Sequence, residues 1–418
     1  MNITLPYGKK TFTVELPEDK ILKVISAKSM QASQPCEDLI TQALQNPSGT
    51  KKIQDLVLNK KNIAIVVDDY TRPSPTKQLL PPLLTELHNA YIPEEHITII
   101  IATGTHTPPT NDQIETLLGR DIAHRYRVIA NDNDKSTYMS VGTSKYGHDI
   151  QILKEYVEAD CKILVGDIEY HYFAGFGGTR KSVLPGIAAG MTIQQNHAMM
   201  FHHASTTGSL KENPINLEMT EAMDLAGCDF ALYCVLNEHH DIVGVWAGDA
   251  HQVMEAGVNF VNNMYQQTLE EKPEIILISA DGHPHDINLY QAMKAMYTAS
   301  QVIADGGIII LVAACPEGMG NDRYVRWMEQ YCSAHEIQEG LESCFQIGAH
   351  KAYYHRQIIE EATVYLVSSM DPSYVKELGF HPFSNPKEAL DHAFAHEGKD
   401  KKVVVVPNGT TSHLVLNR

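Results

Sequence analysis

Seven short apolar runs, separated by stretches of helical pattern, constrain the fold more than any other feature of the chain. They are NIAIVVDD (62–69), ITIIIATG (97–104), CKILVGD (161–167), EIILISADG (274–282), GGIIILVAAC (306–315), ATVYLVSS (362–369) and KKVVVVP (401–407). Continuous β-branched runs of this kind are typical of strands buried on both faces of a parallel sheet. Helix candidates lie between them, for example residues 75–91 and 385–398. The second begins with a capping residue, Ser384 or Asn385, followed by Pro386, and it ends at Gly398. The pattern predicts an α/β protein.

The polar, proline-containing stretch EEKPEI (270–275) separates the first three runs from the last four. We therefore predict two α/β domains with largely parallel sheets: an N-terminal domain over 1–270 and a C-terminal domain over 271–418. The default position for a binding site in such an arrangement is an interdomain active-site cleft. The alternating polar and apolar residues at the start of the chain predict a β-hairpin that turns at Gly8-Lys9.

Charge and composition exclude several classes of partner. The 418 residues include 33 Lys and Arg against 51 Asp and Glu, a formal net charge of −18. This balance argues against nucleic acid or an anionic membrane as the main partner. No apolar run approaches the roughly 18 residues of a membrane span, and the first residues lack the apolar core of a signal peptide. A cytoplasmic protein is expected. The seven cysteines include no CxxC pair, which argues against zinc-ribbon and thioredoxin-like sites.

Polar and cationic residues follow four of the predicted strands. The segments are DDYTRP (68–73), THTPP (105–109), IEYHYFAGFGGTRKS (168–182) and HPHD (283–286). Individual residues in these segments also have ordinary structural explanations. Asp69 could cap a helix and pair with Arg72, and His106 could lie in a surface turn. Lys294, on the helix after HPHD, could be a surface lysine. Ligands of open α/β sheets bind beyond the carboxyl ends of the strands, however, so the joint placement of these groups favours a binding site.

The glycine-rich segment GFGGTRKS (175–182) nearly matches the phosphate loop G-x-x-x-x-G-K-[ST], but Arg180 stands where the second glycine belongs. A phosphate-loop-like ATP-dependent enzyme is therefore one hypothesis. The segment around His197 also contains His171, Lys181, His202 and His203, and the chain has 21 histidines in total. A metal-binding or acid–base role for this segment is a second possibility, and a non-catalytic metal-binding or storage protein would also explain it.

Six motifs, taken together and in order, resemble those of the nickel-dependent lactate racemases and their relatives. They are DDYTRP, ATGTHTPP, GDIEYHYFAGFGGTRKSVLPGI, the Asn-His of QQNHAMM, DGHPHDINLYQAMK and SSMDPSYVKELGF. The resemblance covers nearly the whole chain. It implies an N-terminal catalytic, cofactor-binding domain and a smaller C-terminal α/β domain.

The resemblance also implies a cofactor, the nickel-pincer nucleotide (pyridinium-3,5-bisthiocarboxylic acid mononucleotide nickel), in which two sulfurs and one ring carbon bind nickel. Lys181 falls on the lysine that tethers the cofactor covalently, and His197 falls on the nickel ligand. The acid–base pair falls on His106 and His171. Further positions implied near the cofactor are Asp69, Thr105, Gly177 and Gly178, and positions implied near the substrate are Arg72, Tyr290, Gln291 and Lys294.

The implied activity is a racemase or epimerase that inverts C2 of a 2-hydroxy acid, either lactate or another such acid, including an aldonic acid. Its partners would be this small molecule and the enzymes that mature the cofactor. The α-proton of a 2-hydroxy acid is weakly acidic beside a carboxylate, so reversible hydride transfer through a 2-keto acid avoids a carbanion. Two histidines suit proton transfer at the two faces of that planar acid.

Overall fold

The computed structural model describes residues 1–25, 30–72, 74–343, 345–398 and 400–417. Their strands are β1 Asn2–Tyr7, β2 Lys10–Glu15, β3 Ile21–Val24, β4 Ile63–Asp68, β5 Ile97–Ala102, β6 Arg127–Ala130, β7 Tyr138–Thr143, β8 Asp149–Leu153, β9 Cys161–Asp167, β10 Tyr170–His171, β11 Gly175–Phe176, β12 Phe230–Leu236, β13 Ile242–Gly248, β14 Gln266–Leu269, β15 Ile275–Ser279, β16 Ile308–Val312, β17 Thr363–Val367, β18 His381–Phe383, β19 Val403–Val406 and β20 His413–Leu416. Their α-helices are α1 Cys36–Gln45, α2 Ile53–Leu56, α3 Thr76–Asn89, α4 Asn111–Leu118, α5 Arg120–Arg125, α6 Lys154–Val157, α7 Arg180–Val183, α8 Gly190–Ala198, α9 Pro214–Ala226, α10 Ala250–Tyr265, α11 Leu289–Ser300, α12 Asp322–Gln330, α13 Ala334–Ser343, α14 His350–Glu361, α15 Pro372–Glu377 and α16 Pro386–Glu397.

One compact unit comprises Ser29–Met264. Its six-stranded sheet has the order β13-β12-β9-β4-β5-β6, and every neighbouring pair is parallel except β12 and β13. The residues of β4 and β5 that face the core are fully buried aliphatic side chains. The three apolar runs predicted as buried strands in this region are therefore confirmed as β4, β5 and β9.

The other compact unit combines Met1–Lys28 with Tyr265–Arg418. Its parallel six-stranded sheet has the order β18-β17-β16-β15-β19-β3, and the predicted hairpin is present as β1 and β2. The predicted division at residue 270 differs from the structure in two respects, because residues 265–270 and the start of the chain both belong to this unit. Residues 1–28 lie in the same unit as the C-terminal region, because β3 is hydrogen-bonded to β19 at the edge of this sheet.

Local signals set the ends of the predicted helices. The side chain of Asn385 accepts a hydrogen bond from the N–H of Glu388, Pro386 opens α16, and Gly398 ends it with φ +117°. Helix α16 begins and ends one residue inside the predicted range 385–398. Helix α3 begins one residue and ends two residues inside the predicted range 75–91. Within the described ranges, no helix is both long and apolar enough to cross a membrane.

Candidate active site

Strand order brings three of the predicted polar segments together. Strand β4 lies between β9 and β5 in the sheet, and all three are parallel. Their carboxyl ends therefore meet at one edge, where the chain continues into the segments that carry Asp69, His106 and His171. The segment after β5 is fixed further by a hydrogen bond of 2.9 Å from the N–H of Gly104 to the carbonyl oxygen of Gly186, just beyond the glycine-rich loop.

His106 and Asp69 form a carboxylate–imidazole pair. Nδ1 of His106 lies 2.6 Å from Oδ2 of Asp69. Oδ1 of the same carboxylate accepts hydrogen bonds from the hydroxyl and the N–H of Thr71, at 2.7 and 3.2 Å. Asp69 is 2% exposed and His106 is 37% exposed, so the carboxylate is buried beneath an accessible ring. Burial alone would raise the pKa of Asp69, but the hydrogen bonds from His106 and Thr71 hold it below its usual range.

His171 lies in a different environment, in the tight two-stranded turn of β10 and β11. Its Nδ1 accepts a hydrogen bond of 3.2 Å from the N–H of Ala174. Its ring also contacts the rings of Tyr172 and Phe173, with centroids 4.9 and 4.5 Å away. The turn therefore fixes the orientation of this half-buried imidazole.

Arg72 is surrounded by carboxylates that sequence reasoning did not single out. Its Nη1 lies 3.3 Å from Glu169, and Asp68 and Asp167 lie near it on adjacent strands. Burial lowers the pKa of Arg72, but these carboxylates outweigh burial and raise it, so the guanidinium stays charged. Burial raises the pKa of both Asp68 and Asp167. The three acids were visible in the motifs DDYTRP and GDIEYHY, but only the pairing of β4 with β9 brings them around one cation.

The glycine-rich loop is organised around the buried guanidinium of Arg180. This side chain is 2% exposed and donates to the side-chain oxygen of Asn216 and to backbone carbonyl oxygens of the loop. Those carbonyls belong to Ala174, Phe176, Gly177 and Gly178. A phosphate loop surrounds its ligand with backbone N–H groups, whereas here carbonyl oxygens surround an arginine. The arrangement therefore does not support the phosphate-loop interpretation.

Gly178 is required where the loop passes the end of β9. Its φ is +92°, and a Cβ atom there would lie 2.7 Å from the side chain of Ile168. Thr179, which follows, has a φ of +34°, an uncommon value for a β-branched residue. The chain therefore turns sharply just before Lys181. Because Arg180 is directed into the loop, its bulk does not occupy the position of the lysine side chain.

Lys181 and His197 lie close together, and both favour their neutral forms. Burial and the charges of Arg72 and Arg180 lower the pKa of Lys181 well below its usual range. Burial is the main cause that lowers the pKa of His197 to about 3, and a proton on Lys181 would add to the same effect. A neutral amine is the nucleophilic form of lysine, and a neutral imidazole is the form that binds a metal.

The donor set around His197 bears on the predicted cofactor. Among the described residues, no group of three or more His, Cys, Asp or Glu side chains is arranged to hold a metal ion. His197 is 5% exposed, and burial favours the neutral imidazole that binds a metal. A single imidazole of this kind suits a cofactor that supplies its other metal ligands itself, so the residues present fit the group that the resemblance implies.

Tyr290, Gln291 and Lys294 lie on α11, in the unit that contains the C-terminal region. In the same unit, the ammonium of Lys351 lies 5.5 Å from the centroid of the Tyr290 ring. Burial, followed by the charge of Lys294, lowers the pKa of Lys351 to about 7. Sequence reasoning missed Lys351, because a lysine within a helical pattern gives no sign that it is buried. The substrate roles of the three α11 residues, and the role of Thr105 near the cofactor, stay predictions.

Comparison with known proteins agrees with this geometry. Residues 7–208 match the lactate racemase N-terminal domain, and residues 269–414 match the lactate racemase C-terminal domain. The lactate racemase of Thermoanaerobacterium thermosaccharolyticum is 34% identical over 421 residues, which cover 98% of each chain. That of Lactiplantibacillus plantarum is 31% identical over 97% of this chain and 98% of its own. The solved lactate racemase apoprotein from T. thermosaccharolyticum superposes with a TM-score of 0.91 at 32% identity and covers 100% of both chains.

These similarities, extending over both units, define the chain as a racemase and hence an isomerase. It belongs to the lactate racemase family. The family resemblance and the α/β fold predicted from sequence are thereby confirmed.

Proposed function

We propose that this protein is a nickel-pincer-dependent racemase that inverts C2 of lactate by reversible hydride transfer, through a 2-keto acid. The observation that carries the proposal is the convergence at one edge of a parallel sheet of the buried Asp69–His106 pair and the cation Arg72, with the segment that follows β5 hydrogen-bonded to Gly186 just beyond Lys181. Related 2-hydroxy acids, including aldonic acids, share the same C1–C2 unit and are secondary candidates.

Lys181 would hold the cofactor through its amine, and His197 would provide the protein's ligand to nickel. Gly177 and Gly178 lie in the loop that precedes the lysine, where the absence of side chains allows a ligand to approach the backbone. When bound, the cofactor would supply a hydride acceptor. The chain's own part in the reaction would be to bind the carboxylate of the substrate and to move the hydroxyl proton at His106 and His171.

The direct test is racemisation by protein produced together with the cofactor maturation enzymes. We expect D- and L-lactate to interconvert, and a panel of longer 2-hydroxy acids, malate and gluconate would define the preference. ATP hydrolysis without racemisation would favour the ATP-dependent alternative. Nickel binding without turnover of any acid in the panel would favour a non-catalytic protein.

Substitution of Arg72 tests carboxylate binding. Only Nη1 of its guanidinium is engaged by Glu169 among the described residues, and a guanidinium has five N–H donors. A charge-assisted hydrogen bond contributes roughly 1.5–3 kcal/mol, so Arg72→Ala should lower kcat/KM for lactate by about ten- to a hundredfold. Arg72→Lys should not fully restore it, because lysine lacks the bidentate fork.

The control for Arg72 is Arg127→Ala. The Arg127 side chain is 60% exposed and lies 3.9 Å from Glu155, so its loss should leave steady-state kinetics unchanged. Wild-type kcat/KM in Arg72→Ala would remove Arg72 from the substrate site.

A further inference from the structure

Helix α9 carries a fully buried carboxylate, that of Glu218, which is not among the residues assigned above to the cofactor or the substrate. Its side chain is 0% exposed. Its Oε1 accepts hydrogen bonds from the hydroxyl of Ser144 at 2.6 Å and from Nδ1 of His148 at 2.7 Å. Its Oε2 accepts a hydrogen bond of 3.0 Å from the side-chain amide of Asn196. Burial of a carboxylate is costly unless it is hydrogen-bonded, and these three donors offset that cost.

The three donors come from two separate segments of the chain. Ser144 and His148 lie in the turn between β7 and β8, where the N–H of Ser144 donates a hydrogen bond of 2.9 Å to the carbonyl oxygen of His148. Asn196 lies on α8, directly before His197. The carboxylate of Glu218 therefore links α9 and the β7–β8 turn to the helix that carries the proposed nickel ligand.

The side-chain amide of Asn196 can take only one orientation in this environment. Its Nδ2 also donates a hydrogen bond of 3.2 Å to the carbonyl oxygen of Ile215, whereas its Oδ1 is buried and has no hydrogen-bond partner among the residues that the structure describes. If the amide turned over, Oδ1 would face the carboxylate of Glu218, and both groups can only accept. The other end of α8 is held at Thr192, whose hydroxyl oxygen accepts a hydrogen bond of 3.1 Å from the N–H of Gln151.

The anchor at Asn196 also sets the direction of the His197 side chain. Successive helical residues are separated by about 100° around the axis, so fixing Asn196 fixes the rotation of α8 at His197. Side chains extend about 5–6 Å from the axis, and a rotation of about 10° would therefore move the imidazole by about 1 Å. A displacement of this size at a reacting centre can cost roughly a hundredfold in rate.

We propose that Glu218 is a positioning residue for His197: through Asn196 it fixes the rotation of α8 and holds the imidazole in the orientation that binds nickel. The identity of the metal rests on the proposed function, whereas the orientation of the ring is a property of the protein without cofactor. Stability alone gives little reason for a carboxylate at this position, because apolar side chains of similar volume often stabilise a core equally well.

The orientation of the ring can be measured in full-length protein without cofactor, by proton–carbon NMR of the ¹³C-histidine-labelled chain. The ring of His197 packs edge-on against that of Phe173, with centroids 5.1 Å apart, so its C–H signals are sensitive to its orientation. His197→Gln identifies these signals by their loss. Glu218→Met keeps the side-chain length but removes both acceptors, and we expect it to shift the His197 signals. Wild-type positions of these signals in folded Glu218→Met would overturn the positioning role.

Glu221→Met is the matched control. Glu221 lies three residues further along α9, and its carboxylate accepts hydrogen bonds of 3.1 Å from the N–H of Lys145 in the β7–β8 turn. It therefore holds the same turn as Glu218 through the backbone, without the bond to α8. This variant should leave the His197 signals in place. An equal shift in Glu221→Met would attribute the effect to general loosening of α9 and would also overturn the positioning role.

The consequence for the metal is measured in matured protein as the rate at which a chelator removes nickel. Loss of a group that orients a metal ligand typically costs 10–100-fold in metal affinity, so Glu218→Met should release nickel about 10–100-fold faster than the wild type. Mass spectrometry should show that the variant retains the organic part of the cofactor. Wild-type release of nickel, or loss of nickel and cofactor together, would contradict the proposal.

Asn196→Ala is the second variant and decides the result if Glu218→Met does not fold. It removes the donor on α8, while the carboxylate of Glu218 keeps its bonds from Ser144 and His148. It should also release nickel about 10–100-fold faster, and a wild-type rate would overturn the proposal. If matured wild-type protein contains no nickel while Glu218→Met shifts the His197 signals, the proposed function fails and the positioning of the ring by Glu218 stands.

Discussion

Replacing Lys181 with alanine is expected to abolish both the covalent cofactor adduct and racemase turnover. The lysine follows a sharp turn at Thr179, and burial with two neighbouring guanidinium charges lowers the pKa of its amine well below the usual range. A neutral amine is the form that can make a covalent bond to a cofactor. Intact-protein mass spectrometry of matured protein should show a nucleotide-sized adduct in the wild type and none in Lys181→Ala.

The control for Lys181 is Lys77→Ala, because Lys77 is exposed on α3 and has no part in the site. It should keep both the adduct and the activity. Active wild-type protein that contains the cofactor but shows no adduct would contradict covalent attachment. An adduct that persists in Lys181→Ala would place the bond on another residue.

Removing the imidazole of His106 is expected to lower kcat by about 10²–10⁴-fold, the usual range for a general base. The effect should be the same from D-lactate and from L-lactate on kcat/KM, because the equilibrium constant between enantiomers is one. The nickel content and the adduct should be unchanged, since the ring of His106 is hydrogen-bonded to Asp69 and Thr71, whereas Lys181 and His197 are the residues proposed to hold the cofactor.

The control for His106 is His124→Ala, in which an exposed histidine on α5 is removed. Its kinetics should match those of the wild type. An His106→Ala enzyme with nearly normal kcat and a raised KM would instead assign His106 to substrate binding.

The fold was largely predictable from sequence, because buried parallel strands carry a strong local signal. The stretches at 63–67 and 403–406 contain only Ile, Ala and Val, and they lie in strands β4 and β19 with fully buried side chains. Helix α16 was equally clear from Asn385, Pro386 and Gly398. In each case the information lies within about a dozen neighbouring residues.

The position of residues 1–28 was not predictable in the same way. Strand β3, with the sequence ILKV, pairs with β19 almost the whole length of the chain away. A short edge strand of mixed polarity has no sequence feature that indicates which strand it pairs with. Its assignment to the other compact unit depends on tertiary contacts, which local patterns do not encode.

The candidate site likewise combines features that were predictable from sequence with features that were not. Motif positions placed His106, His171 and Asp69 at the ends of strands, and the sheet order β9-β4-β5 accounts for their convergence. The contacts that define their chemistry were hidden, including the Asp69–His106 pair. Arg180 was also misleading as a sequence feature. At the place of a phosphate-loop glycine it only weakened the match to a nucleotide site, whereas in the structure its side chain is buried inside the loop and donates to the loop's carbonyl oxygens.

The central claim is that inversion at C2 proceeds by hydride transfer, and lactate deuterated at C2 tests it most directly. Matured protein in ordinary water should racemise this substrate more slowly than unlabelled lactate, and the product of opposite configuration should retain its deuterium. Mass spectrometry after separation of the enantiomers measures both. Replacement of the deuterium by solvent hydrogen at the rate of racemisation would show proton abstraction from carbon and would contradict the mechanism proposed for this protein.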